Sequence, residues 1–259
     1  MMVRLELNVR FYDEYLNDYR HETHELPVEE TALLLVDCDG VYTPGSEAYA
    51  LVEERVAPAL AAARQAGVEV IYVHDDFTLA SHPRNRRSEL FGERLVGRPN
   101  RTYGVPPAVR KMTRQPEYMP SIAPLYHEPD FPKRSLGAFH EAAVDHYLRL
   151  CGVETVFVAG SNLPGGVYQT CVGALEHNYR VVLLRDAVAT PEFDDTADET
   201  HPEGGWMRHA FLRSVESMVG YTALTADMVD ACEDVAAFLE KDATVWPFAR
   251  LGRFMREKT

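Results

Sequence analysis

The chain predicts a three-layer α/β/α fold with a mostly parallel central sheet, and three observations carry that expectation. Short apolar runs recur between segments of helical periodicity. Thr31–Val36 is a short continuous apolar run, which suits a strand covered on both faces. Asp37, His74, Gly160 and Asp186 fall where these runs stop, and in parallel sheets ligands bind beyond the carboxyl ends of the strands.

The first strand is Thr31–Val36 (TALLLV), ending in Asp37. A helix over Glu47–Gln65 follows, with Ala, Leu and Val at helical spacing and a stop at Ala66-Gly67. Val68–Val73 (VEVIYV) is the next strand. A helix over Phe139–Cys151 closes at Gly152, a strand spans Thr155–Ala159, and a helix over Gly166–His177 ends in a left-handed cap at Asn178. Arg180–Leu184 is a strand stopping before Asp186, and Trp206–Met218 and Ala226–Leu239 are helical. Leu95–Phe131 breaks this rhythm with prolines and basic residues and reads as a long loop or lid. The acidic stretch Pro191–Gly205 reads as a solvated loop or a second flap.

With 259 residues, 46% of them hydrophobic and 25% charged, the chain can bury one substantial core without disulfides. A single domain over 1–259 is expected, with an N-terminal extension (1–30), the lid (95–131) and a C-terminal helical tail (226–259). The net charge of -14 argues against nucleic acid or an anionic membrane as partner, which leaves a small-molecule substrate. The N-terminal residues are too polar for a signal peptide and no run is apolar enough to span a membrane, so a cytoplasmic location is expected. Cys38, Cys151, Cys171 and Cys232 are scattered without metal or redox spacing and read as reduced, mostly buried thiols.

Candidate chemistry gathers at the strand ends. Asp37 closes an apolar strand, and alternation puts Asp39 on its side with Cys38 opposite, in the core. A partly desolvated carboxylate there suits proton transfer, although Asp37 can equally cap the following turn. Lys133 is either a surface charge or the partner of such a carboxylate. His74, Asp76 and His82 form a loose set of metal-ligand types, with Asp75 pointing to the other face. No cofactor is expected. Arg84 is a clamp for a substrate carboxylate or part of a solvated basic turn. The Gly160–Gly166 turn exposes the first N–H groups of the next helix, an anion or oxyanion site. Cys171 lies more than one helical turn beyond Gly166 and is read as packed.

TALLLVD ending at Asp37, Lys133 in KRSLGAF, and GSNLPGGVYQTCVGALEHNYRVVLLRDA from Gly160 to Ala187 together resemble the isochorismatase-like hydrolases, over roughly Thr31 to Tyr221. The resemblance implies an Asp-Lys-Cys triad, of which Asp37 and Lys133 match two members. The cysteine's position falls on Gly166, and the pattern is closest to the branch with glycine there, as in the phenazine-pathway isochorismatase. It implies vinyl-ether hydrolysis with Asp37 as acid and no thiol. Amide-bond hydrolysis by directly activated water and a catalytically inactive ligand-binding protein are the alternatives. It further implies a cis peptide at Asn162-Leu163, a homo-oligomer, and substrate contacts from Asp39, Asp75, Arg84, Phe139, Asn162, Leu163 and Gly165. Asp75 stands where that branch has glutamine, and the turn SNLPGG replaces its usual sequence.

Overall fold

The computed structural model describes residues 3–40, 42–76, 116–196 and 198–245, with side chains through 240. Arg84 and His82, and the part of the expected lid before residue 116, lie outside the described residues. An eight-stranded sheet organises the rest: β1 (Arg4–Asp13), β2 (Asp18–Pro27), β3 (Thr31–Val36), β4 (Glu69–Asp75), β5 (Asp130–Lys133), β6 (Thr155–Ser161), β7 (Arg180–Ala189) and, after a two-stranded hairpin of β8 (Thr200–His201) and β9 (Gly204–Gly205), β10 (Tyr221–Ala223). The order across it is β2-β1-β10-β7-β6-β3-β4-β5. β10 through β5 are mutually parallel, and the β1–β2 hairpin joins antiparallel to β10 at Arg10–Thr222.

The expected elements form, with boundaries set by local chemistry. Ser46 caps α1 (Glu47–Leu51) by accepting from the Tyr49 N–H at 3.2 Å. One π turn, Val52–Val56, leads into α2 (Ala57–Ala66), which Gly67 ends at φ 82°. α3 (Ala142–Leu150) starts three residues later than the sequence suggests because Ala138–His140 forms a separate 3-10 turn. A π turn over Leu163–Val167 opens α4 (Tyr168–Glu176), and Asn178 terminates it at φ 68°. α5 (Trp206–Ser214) and α6 (Thr225–Val245) complete the helices. Among the described residues no helix is long and apolar enough to cross a membrane.

Side-chain alternation along the central strands divides the core in two. Leu33, Leu35, Tyr72 and Phe157 pack with α2 and α6 on one face, and Ala32, Leu34, Val36 and Val158 pack with α3, α4 and α5 on the other. Each layer removes its apolar surface from water, which is the main stabilising term for such a sheet.

Four expectations need correction. The N-terminal extension is part of the sheet: Leu5, Leu7 and Val9 are buried on one side of β1, and Leu26 of β2 joins them. The last part of the expected lid is core, since Met119 and Ile122 are buried and residues from Asp130 form β5. The acidic stretch is tied down as well: Glu192 accepts from the Met207 and Arg208 N–H groups at the start of α5, and Glu203 pairs with Arg10 at 2.5 Å. Finally, β7 does not end before Asp186. It bulges between the pairs Val158–Leu183 and Gly160–Val188, and Asp186 turns to accept from the Thr225 N–H at 2.7 Å and its hydroxyl at 2.9 Å.

Candidate active site

The carboxyl ends of β3, β4 and β5 bring three ionisable groups together. Register pairs Asp75 with Lys133 across β4 and β5, and the Asp76 N–H donates to the Lys133 carbonyl at 2.7 Å, locking the two strand ends. The Lys133 side chain, 1% exposed as a residue, points back along the sheet. Its Nζ lies 2.5 Å from Asp75 Oδ1 and 2.9 Å from Asp37 Oδ2. Lys133 is therefore a strand residue and a buried ion-pair partner, not a surface charge.

Asp37 reaches this position by leaving the strand. Its N–H still donates to Val73 at 2.8 Å, but its φ is 51°, in the left-handed region. Period-two alternation therefore stops at Val36. Asp39 remains partly exposed and near enough for its charge to act on Asp37, while Cys38 is 4% exposed in the core. On the neighbouring strand Gly160, at φ 127°, lies so close to the Val36 carbonyl that a Cβ there would overlap the oxygen. A glycine is what lets β6 close on the chain leading into Asp37.

The turn between β6 and α4 completes the site. Its cis peptide lies at Ser161–Asn162, one residue before the position the resemblance implies, because β6 keeps its pairing through Ser161–Ala189. A Cβ on Gly166 would sit 2.5 Å from Asp37 Oδ2, 3.4 Å from the Leu136 carbonyl oxygen and 3.4 Å from Val36 Cγ1. Gly166 thus faces Asp37 directly. Gly165 faces the Asn162 side chain, whose Oδ1 would lie 2.5 Å from an added Cβ. The Leu163 side chain is fully buried in the core, so only its backbone is available to a ligand. Phe139 is also a packing residue, 5% exposed, lying against Gly173 of α4 with its ring near Tyr179 and His177.

Burial pushes the Asp37 carboxyl up; the Lys133 charge opposes this, the Asp75 charge reinforces it, and the outcome is about 7. Its Oδ2 is held by Lys133, whereas Oδ1 is buried without a hydrogen-bond partner. Such an acid exchanges a proton near neutrality from an oxygen that nothing else occupies. Cys171 is fully buried, and burial pushes its thiol up to about 12, which disfavours the thiolate.

The remaining candidates separate. Asp75 is 7% exposed and bound to Lys133. His74 Nδ1 lies 2.5 Å from Asp130 Oδ1, and the Tyr118 hydroxyl donates to Asp130 Oδ2 at 2.9 Å. Burial alone would lower the His74 pKa, but Asp130 outweighs it and raises the value. Asp76 faces Arg134 at 3.7 Å. Among the described residues no group of three or more His, Cys, Asp or Glu side chains is arranged to hold a metal ion. Sequence reasoning missed the His74–Asp130–Tyr118 chain, which falls within and beside the segment assigned to the lid. It also missed Thr170, whose Oγ1 accepts from the Ala138 N–H at 3.1 Å and ties the Lys133 segment to α4.

A mostly parallel sheet with helices on both faces is the isochorismatase-like α/β fold. The isochorismatase domain family matches residues 31–201, and the chain belongs to that family of hydrolases. It is 26% identical to the maleamate amidohydrolase of Pseudomonas putida over 172 residues, which are 63% of this chain and 74% of that protein. Solved structures share the fold. A cysteine hydrolase from Pseudomonas syringae pv. phaseolicola 1448A superposes with a TM-score of 0.65 at 20% identity, covering 81% of this chain and 95% of the other. N-carbamoylsarcosine amidase from Thermoplasma acidophilum gives 0.54 at 22% identity, covering 76% and 96%.

Proposed function

We propose that the protein hydrolyses a small anionic metabolite by Asp37–Lys133 acid/base chemistry without a thiol nucleophile, and that the bond cleaved is a vinyl ether. The observation that carries this reading is the direct contact between Gly166 and Asp37: a Cβ at 166 would lie 2.5 Å from Asp37 Oδ2. A carboxylic acid fills the space into which a nucleophilic side chain would project. With Cys171 buried, no thiol among the described residues reaches it.

The chemistry follows from the two oxygens of Asp37. Oδ2 is bound to Lys133 and Oδ1 is buried without a hydrogen-bond partner, which leaves Oδ1 as the oxygen that carries the proton. Transfer of that proton to the terminal carbon of the enol ether gives an oxocarbenium ion. Water adds to it, and the hemiketal collapses to a carbonyl compound and an alcohol, returning a proton to Asp37. Lys133 stabilises the Asp37 carboxylate at the moment it is ionised. The backbone around Leu163–Gly166 lines the pocket, and Arg84 binds a substrate carboxylate.

The test is turnover of enol-ether carboxylates before and after exhaustive treatment with iodoacetamide under native conditions. Undiminished turnover in the alkylated protein, together with at least a 10²-fold loss in Asp37→Asn, is the expected result. Turnover abolished by alkylation overturns the reading. A second reading, amide hydrolysis by directly activated water, is favoured by the likeness to the maleamate amidohydrolase. Release of ammonia from maleamate, insensitive to alkylation, would select it.

A further inference from the structure

Lys133 meets two carboxylates, and they are not equivalent. Asp75 is 7% exposed and accepts from Nζ at 2.5 Å. The Asp37 side chain retains 20% of its exposure, lies 2.9 Å from Nζ, and keeps Oδ1 without a partner. We infer that Asp75 is a positioning residue that anchors the Lys133 ammonium from the buried side, so that Asp37 receives one N–H at Oδ2 and need not stay ionised as the counter-ion of Lys133.

A buried lysine without a counter-ion is expelled or neutralised. Were Asp37 the only carboxylate within reach, Lys133 would require it to stay ionised, and a permanently ionised Asp37 cannot donate a proton. Asp75 supplies that counter-ion instead. It is placed to do so by the backbone, because Asp75 and Lys133 are register partners in adjacent strands and the Asp76 N–H holds the Lys133 carbonyl. Lys133 can then lend one hydrogen bond to Asp37 in either protonation state.

Among the described residues, Asp39, just past Asp37, adds a carboxylate charge, and the charges of Asp37 and Asp39 act in turn on His74. On β4, His74 is taken up by Asp130, and Asp76 faces Arg134 across to β5. The Arg134 N–H is bound by Glu141, and the opening of α4, Tyr168-Gln169-Thr170, carries no charge. Asp75 is thus the residue through which Lys133 is held, a role separate from the substrate contact that the family resemblance implies for its position.

The catalytic consequence rests on the proposed acid role of Asp37, but the test does not need turnover. Protein labelled with ¹³C at the aspartate carboxyl carbons is titrated by NMR, and the Asp37 signal is assigned by its loss in Asp37→Asn. The wild-type inflection is expected near 7, and in Asp75→Asn it moves down by at least one pH unit, a tenfold fall in proton affinity. An Asp75→Asn protein that loses stability with the inflection unmoved, or moved up, overturns the inference. A second measurement covers a variant that does not fold. In the wild-type protein, coupling across the hydrogen bond from Lys133 Nζ to the Asp75 carboxylate persists throughout the Asp37 titration. Its disappearance in step with that titration overturns the inference equally. If enol-ether turnover fails while both NMR results hold, the proposed reaction is wrong and the positioning role stands.

Discussion

Placing a side chain at Gly166 is the sharpest perturbation of this site. In Gly166→Ala the new Cβ starts 2.5 Å from Asp37 Oδ2, and ordinary contact requires at least about 3.4 Å, with Val36 Cγ1 and the Leu136 carbonyl closing the other sides at 3.4 Å. The yielding group is therefore the Asp37 carboxylate, which is held at 2.9 Å by Lys133. A displacement approaching 1 Å removes that hydrogen bond, worth about 1.5–3 kcal/mol for a charged partner. Replacing a glycine by alanine returns about 0.5–1 kcal/mol through reduced freedom of the unfolded chain. The loss wins by roughly 1–2 kcal/mol, a fall in Tm of about 2–8 °C for a chain of this size. Differential scanning calorimetry reads the Tm, and the ¹³C titration of Asp37 reads the carboxylate. Gly166→Cys should behave in the same way and gain no alkylation-sensitive hydrolysis. A Gly166→Ala protein as stable as the wild type with an unchanged Asp37 titration would show that the carboxylate swings aside freely. A Gly166→Cys protein with new thiol-dependent amidase activity would show that only the sulfur was missing.

Three further expectations follow from the same geometry. Because the native Asp37 carboxyl titrates near 7, above the ordinary carboxylate range, the folded state binds the extra proton; stability should be greatest below that range and decline as pH rises to about 7. Urea midpoints at pH 5 and pH 8 should therefore differ more in the wild type than in Asp37→Asn, and parallel profiles would contradict it. Cys171→Ser should lose about 1–3 kcal/mol by urea denaturation, since a hydroxyl replaces a fully buried thiol among apolar neighbours, while native-state alkylation should leave Cys171 unlabelled by peptide mass mapping. Arg10→Met should cost about 1.5–3 kcal/mol, because Glu216, 3% exposed, loses the charged hydrogen bond from Arg10 at 2.8 Å and keeps only the Thr222 hydroxyl at 2.6 Å and the nearby charge of Arg185; a loss below about 1 kcal/mol would mean that water or Arg185 takes over from Arg10.

The parts of this fold that were legible in the sequence are those specified locally. Gly67 and Asn178 stop helices because the left-handed conformation is cheap for glycine and tolerable for asparagine, and both adopt it. TALLLV reads as a doubly covered strand because all six residues are buried. The N-terminal hairpin escaped because its evidence is split. Leu5, Leu7 and Val9 alternate as a strand should, but β2 is an edge strand whose DYRHETHELP carries mostly exposed polar residues and has no apolar signal of its own. The bulge in β7 escaped for a different reason: Asp186 looks like a strand end, and only the pairing of Val188 and Ala189 with Gly160 and Ser161 of β6 shows that the strand continues past it. At the site, Asp37, Lys133 and Gly166 were each visible by residue type and by likeness to the family's motifs. That Lys133 serves Asp75 as well as Asp37 depends on the parallel register of β4 and β5, a long-range property that no window of sequence contains.

That register also explains why a glycine at 166 and a neutral-range acid at 37 belong together. The Asp37 carboxylate is brought to the mouth of the sheet by a left-handed residue, and its Oδ2 then occupies the ground that a Cβ at 166 would claim. A side chain at 166, in the turn before α4, and the Asp37 carboxylate in this position therefore compete for the same space. Lys133 reinforces the choice, since its bond to Asp75 fixes the ammonium and with it the point to which Oδ2 is drawn. Restoring a thiol alone would pull the carboxylate off Lys133 before it created a thiolate. A conversion to cysteine chemistry consequently requires Asp37 to be relocated along with Gly166→Cys. The order in which activity appears across such a pair of changes is a direct measure of how strongly the two positions are coupled.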